Sequence, residues 1–142
     1  MTGKPKVLIV DDEERFRITL RKLLGVQGVE ANTAGSAREA LEELNNRPYD
    51  VVLLDVRMPE ISGIEALAEI KKTHRDLEVI ILTGHASVDI AVEIMRLGGY
   101  EYLLKPCAMD ELVAKIESAY ERKVAREERR RKAQVSPSDL AS

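Results

Sequence analysis

A doubly wound α/β fold, with five parallel strands covered by helices on both faces, is what this 142-residue sequence predicts. Three observations carry the prediction. Short apolar runs recur along the chain, helix-length segments with apolar residues at three- and four-residue spacing separate them, and the runs are continuous rather than alternating. Continuous runs mark strands buried on both faces, and parallel neighbours require crossover helices to cover those faces.

The elements follow in order. Val7 to Val10 reads as the first strand, and Phe16, Leu20, Leu23 and Leu24 form the apolar stripe of the helix after it. Val29 to Thr33 is the least regular strand, assigned because it follows the turn signal Gly28. Ser36 with Glu39 fits a capping box and opens a helix with the stripe Ala37, Leu41 and Leu44. Val51 to Leu54 is the third strand; Ser62 with Glu65 is a second capping box, ahead of Ile64, Leu67 and Ile70. Val79 to Leu82 is the fourth strand, and Val88, Ala91, Val92 and Met95 are the predicted core stripe of the fourth helix. Tyr100 to Leu104 gives the fifth strand, and Leu112, Val113 and Ile116 the fifth helix.

After about Tyr120 the composition changes to the charge-dense "ERKVAREERRRK" and then the small, polar "AQVSPSDLAS". The predicted organisation is one domain over 4–122 and a charged helical extension with a polar tail over 123–142. Pairs such as Glu127 with Arg131 suit a solvated helix face, and Pro137 is expected to terminate it.

Composition restricts the function classes. A chain of this length with 44% hydrophobic residues supports one ordinary core. A net charge of -3 gives no reason to invoke nucleic acid or a membrane surface. Cys107 is the sole cysteine, which excludes an internal disulfide framework and a multi-cysteine metal site and suits a reducing compartment. The start "MTGKPK" lacks the apolar centre of a signal peptide, and no apolar run approaches the length of a membrane span. A cytoplasmic protein is the expectation.

In open α/β sheets, ligands bind outside the carboxyl ends of the strands. The residues there are Asp11 and Asp12 after the first strand, Asp55 after the third, Thr83 at the fourth and Lys105 at the fifth. Alone, "DDEE" is an ordinary acidic helix start and Thr83 an ordinary strand residue. Together they form a constellation. Carboxylates converging on one edge repel by roughly 4 kcal/mol per pair at about 4 Å and near-surface screening. Lys105 supplies one compensating charge; an all-oxygen site with few ligands suits magnesium or manganese better than zinc. A carboxylate is also a competent nucleophile toward phosphorus, and phosphoryl transfer asks mainly for positioning and charge neutralisation. Tyr102 reads equally as a core aromatic, Cys107 as a packing residue, and His74 and His85 as surface residues, although His85 lies two positions beyond Thr83.

These residues amount to a resemblance. "VDDE", "LLDVRMPEISG", "LTGH" and "YLLKP", in this order and spacing, resemble the receiver domains of two-component response regulators, over roughly residues 4 to 122. The resemblance implies a flavodoxin-like sheet of order 2-1-3-4-5. It implies Asp55 as phosphoacceptor, with Mg2+ held by Asp12 directly, by Asp11 largely through water, by Asp55 and by the carbonyl of Arg57. Thr83 and Lys105 would contact phosphoryl oxygens, Thr83 and Tyr102 would form the switch, and the Lys105-Pro106 bond would be cis. Partners implied are a sensor histidine kinase, a second copy meeting through helix 4, strand 5 and helix 5, and a downstream effector, with no membrane and no direct nucleic-acid contact by this domain. It would not be an enzyme in its own right but a phosphoacceptor catalysing its own phosphorylation and dephosphorylation.

The stretch "GHASVDIAVEIMRLGGYEYLLKPC" further resembles receivers of the nitrogen-regulator type, which precede an ATPase and a DNA-binding domain. No "GxxxxGK" phosphate loop is present, so the chain reads either as a stand-alone receiver or as a piece of a longer regulator. Two rival readings stand beside this one. An aspartyl-phosphate hydrolase resembling "DxDx[TV]" needs an acid two residues after its nucleophile, where this chain has Arg57. A binding module that has lost phosphorylation remains the alternative function.

Overall fold

The computed structural model describes residues 4–134. Its elements are β1 (Lys6–Val10), α1 (Glu14–Val26), β2 (Glu30–Ala34), α2 (Ala37–Asn46), β3 (Val51–Leu54), α3 (Gly63–Thr73), β4 (Glu78–Thr83), α4 (Val88–Arg96), β5 (Glu101–Leu104) and α5 (Met109–Ala133). All four strand pairings are parallel and the order is β2-β1-β3-β4-β5, as expected.

Alternate residues of each strand point to opposite faces, which divides the core in two. Leu8, Val10, Val52, Leu54, Val79 and Ile81 pack beneath α2, α3 and α4. Val7, Ile9, Val51, Leu53, Ile80 and Leu82 pack beneath α1 and α5. Each large apolar side chain so buried contributes about 1.5–3 kcal/mol, and the central strands β1, β3 and β4 are thereby fixed from both sides. The active edge inherits that rigidity. Asp11 and Asp55 follow directly on β1 and β3, which are hydrogen-bonded neighbours in register.

Several local expectations need correction. Leu23 is half-exposed and lies off the buried face of α1, which is carried by Leu20 and Leu24. On α4 the predicted core stripe points the wrong way. Ile94 is the buried residue and Ile90 packs beside it, while Val88, at 79% exposure, faces solvent with Val92 and Met95. This helix is apolar on two faces, and spacing alone does not say which one meets the sheet. Ser62 and Glu65 form the full capping box. At α2, Ser36 accepts from the Glu39 amide, but the Glu39 carboxylate accepts from Gly35, so only half of the box forms.

The α5 helix runs without interruption through Arg122 to Ala133. Its charged part is not simply a solvated face. Lys123, Arg126 and Arg130 are half-buried against the sheet end, and the helix-surface pairs are Lys123 with Glu127 and Arg131 with Glu128, in place of Glu127 with Arg131. The expected stop at Pro137 lies outside the described residues. The Lys105-Pro106 peptide is cis. Among the described residues, no helix is long and apolar enough to cross a membrane.

Candidate functional site

The strand ends bring Asp11, Asp12, Asp55, Thr83 and Lys105 to one edge of the sheet. Asp11 continues β1, with its amide on the Ala34 carbonyl at 3.2 Å, and Asp55 continues β3, with its amide on the Val10 carbonyl at 3.0 Å. The backbone ladder thus positions both carboxylates before any side-chain contact is made. One carboxylate oxygen from each of Asp11, Asp12 and Asp55 lies within 4.8 Å of the others. Asp11 and Asp55 are buried, whereas Asp12 is exposed.

Lys105 is the cation that answers them. Its Nζ lies 2.6 Å from Asp11 Oδ2, 3.4 Å from Asp55 Oδ2 and 3.9 Å from Glu13 Oε1. The ammonium also lies over the Phe16 ring, with Nζ 3.9 Å from its centroid, and the side chain is only 17% exposed. Burial alone would lower the Lys105 pKa; the hydrogen bond and charge of Asp11, then of Asp55, outweigh it and hold the ammonium above its ordinary value. Burial raises the Asp11 carboxyl above its ordinary range despite the opposing Lys105 hydrogen bond and the Glu13 amide. When ionised, the three carboxylates exceed the single positive charge of the Lys105 ammonium that pairs with them.

The loop after Asp55 is tightly specified. The Arg57 amide donates to Asp55 Oδ1 at 3.2 Å, and the Gly63 amide donates to the Val56 carbonyl at 2.8 Å. A Cβ on Gly63 would stand 2.2 Å from the Asp55 carbonyl oxygen and 2.6 Å from Val56 Cα, so only glycine lets α3 approach the phosphoacceptor candidate this closely. Glu60 holds φ at 69°, a left-handed conformation that costs a non-glycine residue roughly 1–2 kcal/mol. An open depression of about 500 Å³, bordered by Asp12, Arg57, Met58 and Ile90, adjoins the exposed side of the site at Asp12.

Thr83 is fully buried and its Oγ1 accepts from the His85 amide at 3.3 Å. Its hydroxyl makes no hydrogen bond to Asp55. The His85 ring is exposed, and its carbonyl accepts from the Tyr102 hydroxyl at 2.7 Å. The Ser87 amide donates to the same hydroxyl at 3.2 Å. Thr83 and Tyr102 thus hold the same β4–α4 loop from two sides.

The donors fit a hard divalent cation: they are oxygens, the charge is in excess, and Asp12 is open to water. Sequence reasoning placed Phe16 only in the apolar stripe of the first helix and Gly63 only at the end of "LLDVRMPEISG", and it did not single out Arg17, whose Nη1 donates to the Asp11 carbonyl at 2.8 Å. The signal for Gly63 was present. A glycine on the first turn of a helix that begins eight residues after Asp55 has no capping role to explain it.

The chain matches the family model described as response regulator receiver domain over residues 7–117. It is 42% identical over 112 residues to regulatory protein AtoC of Escherichia coli K12, covering 79% of this chain and 24% of AtoC. The chain spans about a quarter of the length of the curated relatives it matches. Among solved structures it is similar to a receiver domain from Clostridium thermocellum, with a TM-score of 0.80, 40% identity and coverage of 85% and 98%. It is also similar to the receiver domain of NtrX from Brucella abortus, with a TM-score of 0.76, 36% identity and coverage of 81% and 98%. Fold, strand-end constellation and these matches agree: the chain belongs to the receiver domain family of two-component response regulators, among receivers of the nitrogen-regulator type.

Proposed function

We propose that this receiver takes a phosphoryl group from the phosphohistidine of a sensor kinase onto Asp55, and that the resulting charge reorganises the surface of α4, β5 and α5. The observation that carries the reading is the buried Asp55 carboxylate with Lys105 Nζ at 3.4 Å and the Arg57 amide holding its other oxygen. An Asp55 carboxylate oxygen attacks phosphorus, the P–N bond breaks with its electron pair returning to the imidazole, and an acyl phosphate remains. Water attack on phosphorus later releases inorganic phosphate and restores the carboxylate.

Mg2+ would be held by Asp11, Asp12, Asp55 and the Arg57 carbonyl, and when bound it would neutralise phosphoryl charge. Lys105 swings its ammonium from Asp11 toward a phosphoryl oxygen, and the Thr83 hydroxyl donates to another. Movement of Thr83 pulls on the loop that its Oγ1 shares with Tyr102. The apolar patch of Val88, Val92, Met95 and Leu104 lies on the responding face and suits a partner or a second copy. The charged pairs on this face, Lys115 with Glu101 at 2.9 Å and Arg96 with Glu93 at 3.1 Å, close within the chain. Apolar contact is therefore the better basis for an interface than charge exchange between copies. We place the protein in the cytoplasm, as one receiver domain over 4–122 with an extension beyond it that connects to an effector.

The test is intact-mass analysis after treatment with a small acyl phosphate. One phosphate adduct is expected on the wild-type chain with Mg2+, none with excess chelator, and none on Asp55→Asn. An equal adduct on Asp55→Asn would move the acceptor to Asp11 or Asp12, and no adduct on the wild type would favour the non-phosphorylated binding module.

A further inference from the structure

The apolar anchorage of α5 ends early. Its buried residues are Leu112, Ile116 and Ala119, yet the helix continues without interruption to Ala133. What holds the remaining stretch, about four turns, is charge. Arg122, Arg126 and Arg130 recur every four residues, so they lie along one face of the helix.

That face meets an acidic socket at the amino end of β4, opposite the phosphorylation edge. Arg122 Nε and Arg126 Nη2 stand 3.3 and 3.2 Å from Oε2 of Glu78. Arg126 also donates to the Arg75 carbonyl at 3.2 Å, and Arg130 pairs with Asp76. Beside the stripe, Lys123 reaches Asp50 at 3.2 Å.

Glu78 is fully buried, and its two oxygens make no aligned hydrogen bond among the described residues. The two guanidinium groups at ion-pair distance are therefore its main charge compensation, together with the half-buried Lys71 nearby. Exposed helix pairs of this kind count for little, but a buried carboxylate stripped of its cations is strongly unfavourable. The socket has reason to keep the helix.

We propose that Arg122, Arg126 and Arg130 latch the α5 extension onto Glu78 and Asp76, so that residues 120–133 form a fixed arm of the sheet rather than a swinging linker. The latch lies beyond the end of the family match at residue 117 and does not rest on the phosphoryl chemistry. The direction in which the chain leaves the domain is set by the foot of β4, the strand whose other end is Thr83.

Spin labels at Glu42→Cys on α2 and Lys132→Cys on the arm, both exposed positions, test this in the full chain with Cys107→Ser as background. Pulsed dipolar spectroscopy should give one narrow distance distribution. Asp76→Arg places like charges at Arg130 and should broaden it, and Asp76→Arg with Arg130→Glu should restore the narrow form. Circular dichroism melts confirm that each variant is folded, which matters because one Asp76 oxygen is itself buried, and substitution at Asp76 leaves the Glu78 carboxylate in place. A broad distribution in the parent, an unchanged one in Asp76→Arg, or a folded exchange variant that stays broad would each overturn the latch.

Discussion

Lys105 Nζ sits 2.6 Å from Asp11 and 3.4 Å from Asp55, so one ammonium bridges the carboxylates of two neighbouring strands. It is the electrostatic keystone of the resting site, and the proposed function adds contact with an incoming phosphoryl oxygen. The two roles have different consequences for substitution. Lys105→Met keeps contact with the Phe16 ring but leaves two buried carboxylates without their cation, which should cost roughly 1–3 kcal/mol in the absence of divalent ions. Added Mg2+ should restore part of that loss. Urea denaturation with and without Mg2+ measures it, and a variant as stable as the parent in chelator would show that Lys105 carries no structural load.

Asp11 gives a pH dependence of the opposite sign to an ordinary ion-paired carboxylate. Its folded pKa is raised, by burial above all, so on acidification it takes up its proton in the folded chain before the unfolded chain does. Its ionisation therefore lowers stability as pH rises through the folded value, and the penalty persists at neutral pH. Asp11→Asn should raise the midpoint of thermal unfolding at pH 7 in chelator and weaken Mg2+ binding. At a pH well below the carboxylate range the gain should vanish. A destabilised Asp11→Asn at pH 7 without metal would mean that the Lys105 bond outweighs burial.

Gly63 is the third point of control. Gly→Ala inside a helix ordinarily gains up to about 1 kcal/mol. Here the added Cβ meets the Asp55 carbonyl oxygen at 2.2 Å, a backbone atom that cannot rotate away. Gly63→Ala should therefore cost roughly 1–3 kcal/mol, as overpacking does, and slow phosphorylation by displacing the Asp55 peptide. Chemical denaturation and phosphorylation rate read the two effects separately. A stabilised variant would show that α3 shifts freely over the loop.

Much of this was legible in the sequence because the sheet is buried on both faces. Continuous runs such as Val51 to Leu54 have no competing reading once helical stripes flank them, and the strand ends then locate Asp11, Asp55, Thr83 and Lys105. The weakest strand assignment, at β2, was right within a residue because an edge strand needs burial on fewer positions. What was not legible depends on three-dimensional choice. The apolar residues of α4 occupy two faces, so the sequence could not say that Ile94 rather than Val92 turns inward. The arginines beyond Tyr120 read as a solvated face because Glu78, some forty residues earlier, looks like an ordinary strand start until the fold closes over it.

The last prediction concerns Tyr102, whose hydroxyl joins the His85 carbonyl and the Ser87 amide. Ser87 also caps α4, accepting from the Ile90 amide at 3.2 Å, so one hydroxyl steadies both the loop after Thr83 and the first turn of the helix. Tyr102→Phe preserves the ring and its packing against the core but releases that tie. Each of the two hydrogen bonds lost is worth only about 0.5–1.5 kcal/mol, together too little to unfold the domain but enough to loosen a loop. Amide exchange should therefore speed up locally, at Gly84 to Ala91, with β1 and β3 unchanged. A full two-state reversal from 1:99 to 99:1 needs about 5.5 kcal/mol, so Tyr102→Phe alone should mimic only a fraction of the phosphorylated response. A phosphoryl mimic should then alter exchange over the same loop and extend it to Ile90–Arg96, β5 and Leu112–Tyr120. Changes confined to Ala37–Leu44, on the far edge beside β2, would place the output elsewhere and leave the Tyr102 bonds a purely structural feature.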